Sequence, residues 1–172
     1  MLFLQPPGEN DSVLWENFIG ELIENGEKII PAALSFGCEK YCEYLQKVKD
    51  YERGKNLPND LVPCSVYFLF NDKRDKILGC IVIRHKLNDA LRFSGGNIGY
   101  SVPPSERGKG YAKEMLRLAL DKCRQLGINR ILLTCDKENT ASSRTMKANG
   151  AVLFEEFVNT DGVLRERYRI EL

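Results

Sequence analysis

The most informative stretch of the sequence reads Ile98-Gly99-Tyr100-Ser101-Val102, then Pro103-Pro104-Ser105-Glu106, then Arg107-Gly108-Lys109-Gly110-Tyr111-Ala112-Lys113-Glu114. A short apolar strand leads through a proline-rich loop into a glycine-rich turn, and the turn opens a long amphipathic helix. The first N–H groups of a helix have no acceptor within it, and the helix dipole makes that end partly positive. The stretch therefore predicts a phosphate-binding site at a helix N-terminus.

The apolar residues after this turn recur at helical spacing. They are Ala112, Met115, Leu116, Ala119, Leu120, Cys123 and Leu126. Such spacing places them on one buried stripe of a helix, which Gly127 ends. Residues 130–135 then form an apolar run bounded by polar residues, as in a buried strand. Strand, helix and strand in this order predict a parallel crossover.

The rest of the chain alternates between helical and strand patterns. We predict a strand over 2–4, helices over 12–24 (with Asp11 or Ser12 as N-cap), 38–52 and 139–149, a hairpin of 65–70 with 77–84, and a hairpin of 151–158 with 163–170. Residues 84–96 read as a polar connection. The fold class is therefore α+β, with a mixed sheet whose antiparallel arms flank one central parallel pair.

Composition excludes several classes of protein. The chain has 172 residues, a net charge of +1 and 43% hydrophobic residues, as expected of one globular domain without a field that attracts nucleic acid or an anionic membrane. Its six cysteines form no C-x-x-C pair, which favours buried free thiols in a reducing compartment over zinc or disulfides. No signal peptide or apolar span is apparent. We expect a single-domain, cytoplasmic protein covering 1–172.

Two other phosphate-binding loops compete for residues 107–112. A Walker loop needs Ser or Thr after its Gly-Lys to hold magnesium, but Gly110 follows Lys109 here. A dinucleotide fingerprint could begin at Gly108, and Asp136 follows the next strand as the ribose acid would. Lys113, however, occupies the third position of that fingerprint, where close packing needs a small residue. A dinucleotide-binding oxidoreductase stays a distant alternative.

A third design fits at every position. Arg107-x-x-Gly110-x-Ala112 resembles the Arg/Gln-x-x-Gly-x-Gly/Ala signature of the GNAT N-acetyltransferases, which bind acetyl-CoA. The similarity extends over about 66–151, whereas residues 1–60 match only in general shape. It implies the GNAT-type acyl-CoA N-acyltransferase fold: a central twisted mixed sheet with a splayed parallel strand pair, flanked by helices. Residues 64–172 would form the sheet core and 1–60 a variable helical region on the acceptor side.

The resemblance also implies a reaction and a set of site residues. An amine of a small molecule, peptide or protein would attack the thioester while both ligands are bound, with the backbone N–H of Val102 as the oxyanion contact. Gly108 and Gly110 would let the main chain approach the diphosphate, beside the charges of Arg107 and Lys109. The residues expected to bind acetyl-CoA are Tyr100, Ser101, Val102, Arg107, Gly108, Lys109, Gly110, Tyr111, Ala112, Asn139 and Met146. No metal is expected.

The general acid and base are not assigned by the sequence. Many family members have a tyrosine seven residues after the asparagine, but this chain has Met146, whose thioether cannot donate a proton. Tyr100, Tyr111, Cys135 or a water are the substitutes considered. His85, the only histidine, is a candidate base because its usual pKa suits that role. Glu106 is expected to face solvent.

The acceptor and the partners are less constrained. We expect residues 12–63, the connection 85–96 and the last hairpin to form the acceptor wall. The acidic residues there could attract an amine, although solvated helix faces are the simpler interpretation. The final hairpin could pair across a homodimer. A non-catalytic module that binds acyl-CoA on the same scaffold remains a rival interpretation.

Overall fold

The computed structural model describes residues 1–172 and contains two separate antiparallel sheets. The strands are β1 (Leu2–Gln5), β2 (Cys64–Asn71), β3 (Gly79–Arg84), β4 (Ile98–Ser101), β5 (Arg130–Asp136), β6 (Val152–Val158) and β7 (Leu164–Glu171). The first sheet has the order β1-β2-β3-β4 and the second has the order β5-β7-β6. The helices are α1 (Ser12–Glu24), α2 (Tyr41–Glu52), α3 (Asp89–Ser94), α4 (Tyr111–Gln125) and α5 (Thr140–Lys147).

Strand β2 is covered on both of its faces. Phe68 and Phe70 pack with α1 and α2, while Tyr67 and Leu69 pack with α4. Alternate side chains of a strand point to opposite faces, so a strand covered twice is apolar at nearly every position. This explains why residues 65–70 read as a continuous apolar run rather than as an alternating one.

The stripe predicted for α4 is confirmed along most of its length. Met115, Leu116, Ala119 and Cys123 are fully buried between α4 and the two sheets. Leu126 is 43% exposed, contrary to the prediction, because the helix ends at Gln125 and Leu126 lies beyond its last turn.

Strands β4 and β5 are splayed, as the resemblance implies, but no parallel ladder joins them into one mixed sheet. Every ladder is antiparallel, and these two strands meet only at one end, through an isolated bridge between Gly96 and Leu133. There the Asn97 N–H donates to the Leu132 carbonyl at 2.7 Å and the Leu132 N–H donates to Asn97 Oδ1 at 2.8 Å. Because a side chain takes the Leu132 amide, β5 is not paired to β4 beyond this point and a gap opens between them.

Replacing Asn97 by alanine is expected to lower the free energy of unfolding by about 1–3 kcal/mol. The change leaves the half-buried Leu132 N–H without its acceptor at the junction of the sheets. Asn149→Ala is the matched control: the Asn97 side chain accepts from a main-chain N–H, whereas the Asn149 side chain donates to main-chain carbonyls near the surface, where water can replace it. Urea unfolding of both variants measures the difference, and an equal loss in the two would contradict the role given to Asn97.

The helices differ from the predictions in three places, one of which is α5, predicted over 139–149 and observed over Thr140–Lys147. Helix α2 begins at Tyr41 rather than at Cys38. Helix α3 lies inside the segment 84–96, which the sequence analysis interprets as a polar connection. With six residues it is too short to display a helical periodicity. The Asn88 side chain caps it by accepting from the Leu91 N–H at 2.9 Å. None of the helices combines the length and the apolar character needed to cross a membrane.

Candidate functional site

The turn before α4 presents a run of unpaired N–H groups. From Gly108 to Lys113 no backbone N–H has an acceptor within the chain, and no side chain caps the helix. Gly108 and Gly110 have φ values of 75° and 83°, a left-handed conformation that favours glycine. A Cβ built on either glycine would meet no atom within 4 Å, so the space in front of these groups is open. The turn therefore presents free donors to open space at the place where the sequence predicts an anion site.

The two cations expected to add charge at the turn both have carboxylate partners in the fold. Arg107 Nη1 and Nη2 each donate to the Glu27 carboxylate at 2.6 Å, and Lys109 Nζ donates to Glu106 at 2.9 Å. Hydrogen bonding from Arg107 lowers the pKa of Glu27, which keeps the pair ionised. Arg107 Nε also donates to the Val102 carbonyl at 2.9 Å. Arg107 thus fixes the turn against the end of β4.

Glu106 does not face solvent as the sequence suggested. It is 8% exposed and accepts hydrogen bonds from both Lys76 and Lys109 at 2.9 Å. Lys76 also donates to Ser105, whose N–H donates to Glu21 of α1 at 2.6 Å. The carboxylates therefore bind the turn to the neighbouring hairpin and to α1, which sequence spacing could not reveal because the partners lie 30 or more residues apart.

Glu106→Gln is expected to reduce the loss of stability in acid. Burial acts to raise the pKa of Glu106, but Lys76 and Lys109 outweigh it, so the pKa is lowered in the folded state. A lowered carboxyl pKa contributes stability that is present above the unfolded-state pKa of about 4.3 and lost as the pH falls through the folded-state pKa. Urea unfolding from about pH 6 to about pH 3 should show a shallower decline for the variant than for the wild type; equal slopes would refute this account.

The gap between β4 and β5 is lined by free main-chain groups. The Arg84 N–H donates to the Asn97 carbonyl, toward β4, and the next N–H, of His85, donates to the Pro63 carbonyl, toward β2. These two bonds fix which residues of β3 and β4 turn their main-chain groups toward each other and which turn them away. By that alternation the N–H and C=O groups of Tyr100, and the N–H of Val102, point away from β3 and into the gap. Residues 102–107 lead from the end of β4 at this gap to the open turn, so the two sets of free groups follow one another along the chain.

Ser101 is the exception among the predicted main-chain ligands. It pairs with Cys80, and the same alternation turns its N–H and C=O toward β3. On the β5 side of the gap, Thr134 has free main-chain groups instead. Leu133 and Cys135 bond to β7, so the N–H and C=O of Thr134 between them point away from β7 and toward the gap. Nothing in the composition of β5 singles out Thr134; only the strand register does.

A pair of hydroxyl groups forms the floor of the gap. Tyr100 Oη lies 2.8 Å from Ser142 Oγ and also donates to the Ser142 carbonyl at 3.3 Å, which links β4 to α5. Burial raises the pKa of Tyr100 to about 12, so its hydroxyl keeps its proton at neutral pH. Ser142 was not among the predicted residues, since a serine in a helix carries no signal without its partner.

Asn139 and Met146 hold α5 in place. Asn139 is the N-cap predicted from the sequence, and its Oδ1 accepts from the Ser142 N–H at 3.0 Å. Met146 is 2% exposed and packs in the core between α4 and the sheets. Its buried thioether supports the helix beneath the gap, so direct contact between Met146 and a ligand has no support from its position. Tyr111 and Ala112, on the first turn of α4, pack partly against the same core.

The other candidates for proton transfer lie in less suitable places. His85 Nε2 is 2.9 Å from Ser65 Oγ, which donates to Glu52 at 2.8 Å, and burial lowers the pKa of His85. His85 follows Arg84, which pairs with Asn97, so it lies about 20 Å along the sheet from the level of Val102. Cys135 is buried, and burial raises its pKa to about 11. Cys135 lies beside Ser142 and keeps its proton at neutral pH, whereas His85 lies far from Val102.

Comparisons with known proteins agree with this geometry. The sequence profile of the acetyltransferase (GNAT) domain matches residues 37–152. No curated protein sequence matches the chain. Solved structures cover 99% of the chain: the ribosomal-protein-S5-alanine acetyltransferase from Vibrio fischeri (16% identity, TM-score 0.73, 92% of that chain), the microcin C7 self-immunity acetyltransferase in complex with acetyl-CoA and AMP (17%, 0.70, 92%), and the dodecameric spermidine N-acetyltransferase from Vibrio cholerae (18%, 0.66, 93%).

Proposed function

The chain belongs to the GNAT acetyltransferase family, as the signature at 107–112 indicated, and from this we propose that it transfers the acetyl group of acetyl-CoA to a primary amine bound at the same time. The observation that carries the proposal is the continuity of the open N–H groups at 108–113 with the free main-chain groups of the gap. Acetyl-CoA supplies an acyl group activated as a thioester. A diphosphate on the turn and an extended arm in the gap fit these two parts.

The residues of the site divide the reaction between them. The N–H groups of 108–113 hold the diphosphate, and Tyr100 and Thr134 offer main-chain partners on the two sides of the arm. The Val102 N–H donates to the carbonyl oxygen as it becomes negative. The free amine nitrogen bonds to the carbonyl carbon, the C–S bond breaks, and Tyr100 gives its proton to the sulfur while Ser142 orients the hydroxyl. The nitrogen then loses its extra proton to solvent as the amide forms, and the Tyr100 phenolate takes a proton back from solvent. The ammonium loses its proton to solvent before attack.

Calorimetry and thiol release test this function. Acetyl-CoA and free CoA should bind the protein, whereas a nicotinamide dinucleotide should not, because β4 and β5 lie in separate antiparallel sheets rather than side by side in a parallel one. Free thiol should then appear only when an amine is added, from a panel that includes peptides and polyamines. Failure to bind any CoA species would refute the proposal; binding without thiol release would favour the non-catalytic module.

We also propose a homodimer and a cytoplasmic location, each supported by one feature. Strand β6 is a free edge, with Val152 and Val158 more than half exposed on it. A relative from Vibrio cholerae is dodecameric. All six cysteines are unpaired, and four of them are buried, as in proteins of reducing compartments. Sedimentation of the purified protein checks the first proposal, and fractionation of cells checks the second.

A further inference from the structure

A cluster of polar side chains lies between α5 and the second sheet, and the reaction as described uses only two of its members. These are Tyr100 and Ser142, whose hydroxyl oxygens lie 2.8 Å apart. Cys135 of β5 lies beside Ser142, and hydrogen bonding from the Ser142 side chain acts to lower the pKa of the thiol, although burial outweighs it. Cys135 Sγ donates to Glu166 Oε2 of β7 at 4.0 Å. The four side chains therefore lead in sequence from the gap to a carboxylate.

This carboxylate differs from the other buried ones in having no cation beside it. The buried carboxylates are Asp11, Glu106 and Glu166. The first two pair with Arg or Lys side chains, whereas Glu166, at 8% exposure, takes part in no ion pair. Burying a carboxylate costs free energy that an apolar residue in its place would not cost. A titratable group kept in such a place, next to the reaction site, is a candidate for a role in proton transfer.

Hydrogen bonds hold the Glu166 carboxylate in one position. Tyr168 Oη donates to Glu166 Oε2, and Ser143 Oγ lies 2.7 Å from the same tyrosine hydroxyl. Tyr168 and Ser143 are both buried, and Ser143 is the neighbour of Ser142 on α5. The carboxylate is therefore tied to the helix that carries Ser142 rather than free to turn toward solvent.

The reaction creates a need for a proton at this cluster. When Tyr100 has given its proton to the sulfur, its phenolate must be reprotonated before the next turnover. The CoA product then occupies the gap on one side of the ring, and the Ser142 hydroxyl lies on the other. Because burial raises the pKa of Tyr100 to about 12, the phenolate is a strong base that draws a proton from the groups hydrogen-bonded to it.

We propose that Glu166 returns the proton to Tyr100 through Cys135 and Ser142, an inference that rests on the proposed acetyl transfer and deepens it. Ser142 gives its hydroxyl proton to the phenolate, and Cys135 gives its thiol proton to Ser142. Glu166 then passes to Cys135 a proton that it takes from solvent. Every proton given up along the chain is replaced, so Tyr100 alone gains a proton and no thiolate or alkoxide remains. Glu166 touches no reacting atom and acts on the reaction only through Tyr100.

The steady-state kinetics of Glu166→Gln test the proposal. Proton return follows the breaking of the C–S bond, a step that is not readily reversed, so it limits kcat without entering kcat/KM. Glu166→Gln should lower kcat by roughly tenfold or more, while kcat/KM for acetyl-CoA keeps its wild-type value. Glu155→Gln is the matched control, because Glu155 pairs with Arg167 on the opposite face of the same sheet, and its kcat should not change.

Two substitutions at Cys135 test the middle of the chain independently. Cys135→Ala interrupts it and should give the same fall in kcat at constant kcat/KM. Cys135→Ser places a hydroxyl there, which can pass on a proton, so it should restore most of kcat. Urea unfolding of each variant shows whether stability has changed as well.

Three results would overturn the proposal. These are an unaltered kcat in Glu166→Gln, a Cys135→Ser protein no more active than Cys135→Ala, or an equal fall in kcat and kcat/KM, which would show that the substitutions merely displace Tyr100. An unaltered kcat in Tyr100→Phe would also overturn it, since no phenolate would then form, while acetyl transfer itself would stand. Absence of thiol release from the wild type would instead refute the proposed function, so the two failures are distinguishable.

Discussion

Gly110→Val should abolish acetyl-CoA binding while the protein stays folded. At a φ of 83° a β-branched residue is strained, and its side chain would project into the open space in front of the N–H groups. Losing two hydrogen bonds to a charged diphosphate, each about 1.5–3 kcal/mol, corresponds to a loss of affinity of roughly a hundredfold or more. Calorimetry with acetyl-CoA measures it.

Gly127→Val separates this effect from backbone strain. Gly127 follows the other end of α4, has a φ of 71° and likewise has no atom near a built Cβ. Both variants should therefore lose about 1–2 kcal/mol of stability, as judged by urea unfolding, but only Gly110→Val should lose acetyl-CoA binding. Wild-type affinity in Gly110→Val would show that the diphosphate lies elsewhere.

Tyr100→Phe should lower kcat by roughly a hundredfold, with little change in the KM for acetyl-CoA. The substitution removes the hydroxyl that bonds to Ser142 but leaves the main-chain groups of β4 that face the gap. A residue that only packs would change stability by about 1 kcal/mol and leave kcat unaltered. Steady-state thiol release, combined with urea unfolding, distinguishes the two cases.

Tyr111→Phe and the pH profile complete this test. Tyr111 is also half-buried at the site, but its hydroxyl makes no hydrogen bond within the chain, so its removal should leave kcat unchanged. Burial raises the pKa of Tyr100 to about 12, so its acid form persists at alkaline pH. Any fall in the rate below about pH 11 therefore has another cause and should also be present in Tyr100→Phe. An unaltered kcat in Tyr100→Phe would show that Tyr100 is not the general acid and would favour a water molecule as the proton donor.

Much of the fold is visible in the sequence because its signals are local. Helical spacing marks α4, the Asn159–Gly162 turn marks the last hairpin, and glycines at positive φ mark the anion-binding turn. Each of these depends on residues within a few positions of one another. Helix α3 was missed because its signal consists of one cap residue before a very short helix.

The electrostatics of the turn could not be predicted in the same way. The sequence shows Arg107 and Lys109 as local positive charge, but their carboxylate partners, Glu27 and Glu106, neutralise them in the fold. The partner of Arg107 is 80 residues distant in sequence, where no pattern connects the two. We therefore expect the main-chain N–H groups, rather than side-chain charge, to make the main contribution to phosphate binding.

By itself the sequence determined the kind of site: a glycine turn at a helix N-terminus, the family that carries it, and the strands around it. The tertiary structure decided which groups are available there. The ladder register turns Tyr100 and Val102 into the gap and Ser101 away from it, brings Ser142 to Tyr100, and sends His85 to the far end of the sheet. The reason is physical: backbone conformation depends on neighbours in the chain, whereas hydrogen-bond partners and charge balance depend on neighbours in space.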